Sequence, residues 1–125
     1  MKKLLIKNLG KKPLVGIGPM STNCINSVIE LSKKSQSPIM LIPSRRQIDY
    51  NAGYVGNLST KKLAKFINKK KNIIICRDHG GPWQSELEQS KKMNLIDAMK
   101  SSKKSFEHDI LSNFKILHLD PSIDI

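Results

Sequence analysis

The run Ile73-Ile74-Ile75-Cys76-Arg77-Asp78-His79-Gly80-Gly81-Pro82-Trp83 constrains this chain most, because it leads a short apolar stretch straight into an acid, an imidazole and a glycine turn. The branched side chains of residues 73–76, with Lys and Asn before them and charge after them, predict a strand of a parallel sheet buried on both faces. Burial ends where the polar groups begin. At the carboxyl edge of such a sheet, strand-end side chains and helix N-termini converge, so Asp78 and His79 are candidates for acid/base work or metal binding, the competing reading being a surface loop. Gly80 and Gly81 allow a sharp turn or a close approach to a ligand, and Pro82 ends the strand.

The rest of the chain repeats the theme. Leu14-Val15-Gly16-Ile17-Gly18 predicts a first strand closed by Pro19, after which Ser21, Thr22 or Asn23 caps a helix with Ile25, Val28, Ile29 and Leu31 recurring at helical spacing. Pro38 to Pro43 fence a second strand, and a polar, glycine-containing loop follows from Ser44 to Asn57; loops of that length in small domains are usually functional or mobile. Ser59 caps the next helix, with Leu58 packing on Leu63 as a hydrophobic staple and Leu63, Phe66 and Ile67 facing inward. The third strand covers 72–76. A helical pattern resumes at Glu86 with Leu87, Leu95, Ile96 and Met99 as inward anchors, and Phe114 to Leu119 predicts a fourth strand ended by Asp120-Pro121. Strand and helix in alternation predict an α/β fold of parallel (β/α) units joined by right-handed crossovers.

A chain of 125 residues suffices for one domain with a real core. We divide it into a basic leader or first-strand approach, 1–12, and a partial (β/α) barrel domain, 13–125. No apolar run reaches membrane-spanning length, the charged start is interrupted too early for a signal-peptide core, and a cytoplasmic location is expected. Cys24 and Cys76 fit reduced, partly buried thiols better than a disulfide framework. The net charge of +12 invites a nucleic-acid reading, but only Arg45, Arg46 and Arg77 are arginines, and the lysines fall in scattered pairs on helix faces and ends, so nucleic-acid binding ranks last. Gly16-Ile17-Gly18-Pro19-Met20-Ser21 starts like a dinucleotide fingerprint without its third glycine, and no glycine-rich loop ends in Gly-Lys-Ser/Thr.

Four segments together resemble a known family: Gly16-Ile17-Gly18-Pro19-Met20, Gln47-Ile48-Asp49-Tyr50-Asn51-Ala52-Gly53-Tyr54-Val55-Gly56, Asp78-His79-Gly80-Gly81-Pro82 and Lys115-Ile116-Leu117-His118-Leu119-Asp120. They look like the N-terminal half of the accessory, non-catalytic, Z-type subunits of tagatose-bisphosphate aldolase, which are similar to class II, zinc-dependent sugar-bisphosphate aldolases. The resemblance spans roughly residues 13 to 122. It implies the N-terminal half of a TIM-type barrel, Asp78 in the position of a catalytic acid/base and His79 in that of the first zinc ligand. In that chemistry zinc polarises a ketose carbonyl while a carboxylate relays the proton. The other zinc histidines of those enzymes come from later strands, so zinc finds only one matching ligand here. The remaining histidines, His108 and His118, are expected to be a surface helix residue and a structural or supporting strand residue.

The resemblance also puts Gln47, Asn51 and Tyr54 after the second strand, where they either line the substrate mouth or merely order the loop. Arg45, with Arg46, is a candidate contact for a sugar phosphate, against the reading of a solvated pair. Asp120 binds substrate, orients His79 or caps the following turn. A TIM barrel takes about 250 residues and eight strands, so four strands leave an open edge. The expected role is therefore in carbohydrate metabolism, in sugar-phosphate aldol cleavage or in stabilising a catalytic aldolase subunit, by pairing with that subunit or by self-association. An inactive truncated barrel and a small α/β binding protein are the alternatives.

Overall fold

Neighbouring parallel strands need a crossover between them, and the segments separating this chain's apolar runs are long enough to supply one each time. The computed structural model describes residues 10, 13–35, 37–68, 70 and 72–123. Among these residues four strands, β1 (Gly16–Ile17), β2 (Ile39–Leu41), β3 (Ile73–Gly80) and β4 (Ile116–Leu119), form one parallel sheet in the order β1-β2-β3-β4. Helix α1 (Thr22–Lys34) joins β1 to β2, α2 (Thr60–Ile67) precedes β3, and α3 (Glu86–Ser90) and α4 (Leu95–Leu111) join β3 to β4. The strands never reverse their order, as they would in a doubly wound sheet; a sheet wound one way with helices on one face is the arrangement of half a TIM-type barrel. Apart from Gly10, the basic leader expected over 1–12 lies outside the described residues.

Alternation along the strands assigns the two faces. Ile39, Leu41, Ile73 and Ile75 pack with Ile25, Val28 and Ile29 of α1 and with Leu63 and Ile67 of α2 in one apolar core. Met40, Ile74, Cys76 and Asp78 belong to the other face, the one a closed barrel would enclose. The helices start where oxygen side chains accept the first free amides: Ser21 from Cys24, Ser59 from Lys62, Ser85 from Glu88 and Asn94 from Asp97. Leu58 sits beside this core, in keeping with its expected packing near Leu63.

The second half of the chain departs from the periodicity argument. Leu95, Ile96 and Met99, expected to face inward, are 57%, 67% and 52% exposed, and Leu87, Phe66 and Leu31 are exposed as well. In their place α4 buries Ala98, Ser102, Ser105 and Asp109, a stripe of small residues with one acid. Asp109 meets Arg77, which has the same parity as Ile73 and Ile75 and so points into the helix layer. The guanidinium clasps the carboxylate through Nε (2.8 Å) and Nη2 (2.6 Å) and donates from Nη1 to the carbonyls of Pro43 (3.0 Å) and Ile48 (2.7 Å). Phe114 lies under it, 5.2 Å from ring centre to guanidinium carbon. Burial pushes the Asp109 carboxyl upward against the pull of Arg77. A buried arginine on β3 needs a buried carboxylate opposite, and that need decides which face of α4 turns in.

The third strand also runs further than its apolar stretch. Asp78, His79 and Gly80 remain in β3 because backbone partners exist on both sides: the Asp78 amide donates to the Pro43 carbonyl (3.0 Å), and the Asp120 amide to the Gly80 carbonyl (3.1 Å). The strand expected to end at residue 76 thus continues to Gly80 through an irregularity, with the β3–β4 register shifting between Arg77 and Gly80.

Candidate metal centre

Cys76 pairs with Ile116 and Arg77 with Leu117 across the β3–β4 ladder, so Asp78 and His118 come side by side on the inner face. The His118 Nδ1 lies 3.5 Å from one Asp78 carboxylate oxygen, and the His79 Nε2 lies 3.7 Å from the other. The two imidazoles stand 5.6 Å apart between ring centres. His118 is therefore part of the cluster and not merely a support within its strand.

His79 reaches this position through a backbone angle that non-glycine residues seldom adopt, φ 44°, a conformation costing about 1–3 kcal/mol that the surrounding structure must hold in place. Two constraints hold it. Gly81 lies so close to β4 that a Cβ there would sit 1.8 Å from the Asp120 carbonyl oxygen, which makes glycine obligatory at that contact. The imidazole itself is fixed by Asp120, whose Oδ2 lies 2.5 Å from His79 Nδ1.

Asp120 is buried and fully engaged. It accepts from His79, from Gln84 Nε2 (2.8 Å) and from the Ser122 amide (3.0 Å), so it both orients His79 and caps the following turn. The bonds from Ser122 and His79 hold its carboxyl down at about 2. Asp120 in turn raises the His79 pKa above the ordinary histidine value. Opposite an ionised carboxylate, Nδ1 carries the proton of a neutral imidazole, which leaves the Nε2 lone pair directed to the Asp78 side. A histidine held by a carboxylate at one nitrogen and free at the other is the arrangement metal ligands usually show.

The Asp78, His79 and His118 ligand atoms all lie within 4.8 Å of one another. Tetrahedral zinc with bonds of about 2.1 Å spaces its ligands by about 3.4 Å, so side chains whose ligand atoms lie within 4.8 Å of one another would draw together by up to about 1.4 Å to hold a divalent ion. Three ligands would leave a fourth position open, as in catalytic zinc sites.

The other predicted residues lie elsewhere. Arg45 is 1% exposed, which overturns the reading of a solvated pair for this member: its Nε bonds Asp49 (2.9 Å), Nη2 and Nη1 bond Glu88 (2.5 and 3.1 Å), and Nη1 also bonds the Gly81 carbonyl (2.6 Å). Gln47 is buried, accepting from the Ser44 amide (2.9 Å). Asn51 and Tyr54 border a cleft of about 460 Å³ together with Arg46, Gly53, Asn57 and Ser85. His108 is half-buried and stacks on Tyr50, with ring centres 5.4 Å apart. Both cysteines are free, and burial pushes the Cys76 thiol up to about 11, away from reactivity. The sequence reading passed over Gln84, Glu88, Arg77 and Asp109. A charged residue at inward strand parity was the available signal for Arg77, and the Ala98-Ser102-Ser105-Asp109 spacing was the signal for its partner.

These features define a class: a one-way-wound parallel (β/α) half-barrel with a cation-competent cluster at the carboxyl edge of its sheet. No family model matches the sequence, and no curated protein does. Among solved structures the chain is similar to a probable tagatose 6 phosphate kinase from Sinorhizobium meliloti 1021, with a TM-score of 0.73 at 18% identity over 90% of this chain. The match covers 30% of that protein, so this chain spans less than a third of its length. At that identity the likeness establishes the shared fold. Among the described residues, no helix is long and apolar enough to cross a membrane.

Proposed function

We propose that this chain serves sugar-phosphate metabolism as the first half of a class II aldolase-like barrel, with Asp78, His79 and His118 holding a divalent cation. The observation that carries the reading is the orientation of His79 by Asp120, which frees Nε2 beside a carboxylate and a second imidazole. The resemblance of the Asp78-His79-Gly80-Gly81-Pro82 turn to the aldolase-related subunits supports it. So does a structural neighbour described as a probable tagatose 6 phosphate kinase.

A cation at this cluster would supply Lewis-acid polarisation of a substrate carbonyl. Asp78, half-buried and flanked by both imidazoles, is the group that would accept or return a proton at the adjacent carbon or hydroxyl through the carboxylate oxygen not bound to the cation, the acid/base role the resemblance gives it. Asp120 and Gln84 would keep His79 in one orientation throughout.

One observation supports the reading of these residues as part of a larger barrel. On β4, the last strand in the sheet, Ile116 and Leu119 are exposed, a surface that another strand and helix would cover. Zinc titration separates the metal claim from its absence: the unaltered protein is expected to bind one ion, and His79→Ala and His118→Ala each to weaken it by about 10-fold or more. Unchanged affinity in both variants would contradict the cluster. Assays of aldol cleavage then decide the role. Zinc-dependent cleavage by this chain alone marks an enzyme, whereas cleavage that requires a catalytic subunit and survives His79→Ala marks an accessory protein.

A further inference from the structure

Two adjacent arginines, Arg45 and Arg46, meet opposite fates, and two adjacent residues of α3 bring this about. Glu88 is buried and forms a two-point ion pair with Arg45, which anchors α3 against the loop after β2. Gln89, the next residue, accepts a hydrogen bond through Oε1 from Arg46 Nη2 and donates through Nε2 to the Trp83 carbonyl (2.7 Å). Trp83 is itself pinned, its indole donating to the Met93 carbonyl (2.7 Å). Arg46 is thus held in place by a neutral amide. Among the described residues it has no ion-pair partner; of the carboxylates bordering the cleft, Asp49 is engaged by Arg45 and by Ser105 (2.5 Å), and Glu86 forms no ion pair with Arg46.

The backbone under Arg46 is equally fixed. Its carbonyl accepts from the Tyr54 amide (3.1 Å), and a Cβ at Gly53 would fall 2.7 Å from that same oxygen, so the loop closes this tightly only because residue 53 is glycine. Arg46 borders the cleft of about 460 Å³ and also a second hollow of about 300 Å³ whose other walls include His79, Gln84, Ser44 and Ser122. An exposed guanidinium therefore borders both the hollow beside His79 and the cleft, and among the described residues Gln89 is its one side-chain hydrogen-bond partner.

We propose that Arg46 is a preset anion receptor that binds the phosphate of a phosphorylated substrate, with Gln89 as its positioning residue. The proposal rests on the reading of the Asp78–His79–His118 edge as a substrate site. Guanidinium suits a phosphate because its planar fork meets two oxygens at once, and a fork already held by a neutral amide loses little freedom on binding. Arg45 cannot serve, since its three guanidinium nitrogens are engaged by Asp49, Glu88 and the Gly81 carbonyl and its charge is paired with both carboxylates.

The test measures inorganic phosphate binding by calorimetry on the full chain and its Arg46→Gln, Arg46→Lys, Gln89→Leu and Lys104→Gln variants, Lys104 being an α4 lysine whose Nζ lies 4.9 Å from the Tyr50 ring centre, with Zn²⁺ affinity measured on the same samples. Arg46→Gln is expected to weaken phosphate binding by about 10-fold or more, as loss of a charged hydrogen-bond donor requires. Arg46→Lys should recover part of it, Gln89→Leu should cost less than Arg46→Gln, and Zn²⁺ affinity should stay within about 2-fold throughout. Phosphate binding that depends on Arg46 in a protein that binds no Zn²⁺ supports the receptor while removing the metal reading. No phosphate binding by the unaltered protein, unchanged binding in Arg46→Gln, or an equal loss in Lys104→Gln overturns the proposal, the last by showing diffuse attraction to a basic surface.

Discussion

The two halves of this sheet are held by different forces. Around β1 and β2, branched apolar side chains of α1 and α2 fill the space against Ile39, Leu41, Ile73 and Ile75. Around the carboxyl half of β3, the helix layer is joined by two arginines, Arg45 with Asp49 and Glu88, and Arg77 with Asp109. The first half tolerates changes of shape within limits of volume; the second depends on every charge keeping its partner. The candidate site sits on the second half. Buried ion pairs seldom add much net stability over an apolar equivalent, but they fix one arrangement of the groups they join. Here they fix the loop after β2, the end of β3 and the start of α3 against each other, and these segments carry Arg46, His79 and Gln84.

Breaking a pair in the ionic half should have the largest effect. Asp109→Ala leaves Arg77 buried without a counter-charge and is expected to cost about 3–5 kcal/mol, measured by urea unfolding; a loss below about 1 kcal/mol would show that water reaches the arginine. Leu63→Ala in the apolar half should cost about 2–5 kcal/mol, and should leave Zn²⁺ affinity unaltered in folded protein. Ile96→Lys is expected to change stability by no more than about 0.5 kcal/mol, because the side chain faces outward from α4; a cost of several kcal/mol would restore the inward orientation that periodicity suggested.

The Asp120–His79 contact gives a smaller, titratable effect. The raised folded pKa of His79 contributes stability that is complete below its unfolded value near 6.5 and is lost as pH climbs through the folded value. For Asp120, lowered to about 2 from 3.8, the contribution is present above 3.8 and lost as pH falls through about 2. Asp120→Asn should therefore move the His79 titration, followed by NMR of its ring, back toward 6.5. A titration that stays where it was would mean that another group raises it.

Much of the first half was legible because apolar periodicity and capping residues are local signals. Ile25, Val28, Ile29, Leu63 and Ile67 could be placed inward from spacing alone, and Ser21 and Ser59 marked their helix starts. The same rule misplaced Leu95, Ile96 and Met99, since the orientation of α4 is set by Arg77 on a strand distant in sequence. At the candidate site, Asp78 and His79 stood out as polar residues ending a strand. That His118 joins them depends on the β3–β4 register, with Cys76 opposite Ile116, which no local pattern encodes. Asp120 was open to three readings because one buried carboxylate can orient a histidine and cap a turn together.

The most direct measurement of the central claim is a crystal structure of the full chain grown with Zn²⁺, with anomalous diffraction collected at the zinc edge. The account predicts one strong peak bonded at about 2.0–2.2 Å to Asp78, to Nε2 of His79 and to Nδ1 of His118, with Asp120 still on the His79 Nδ1. A structure whose zinc binds elsewhere, or that leaves these three side chains without a peak, would contradict it.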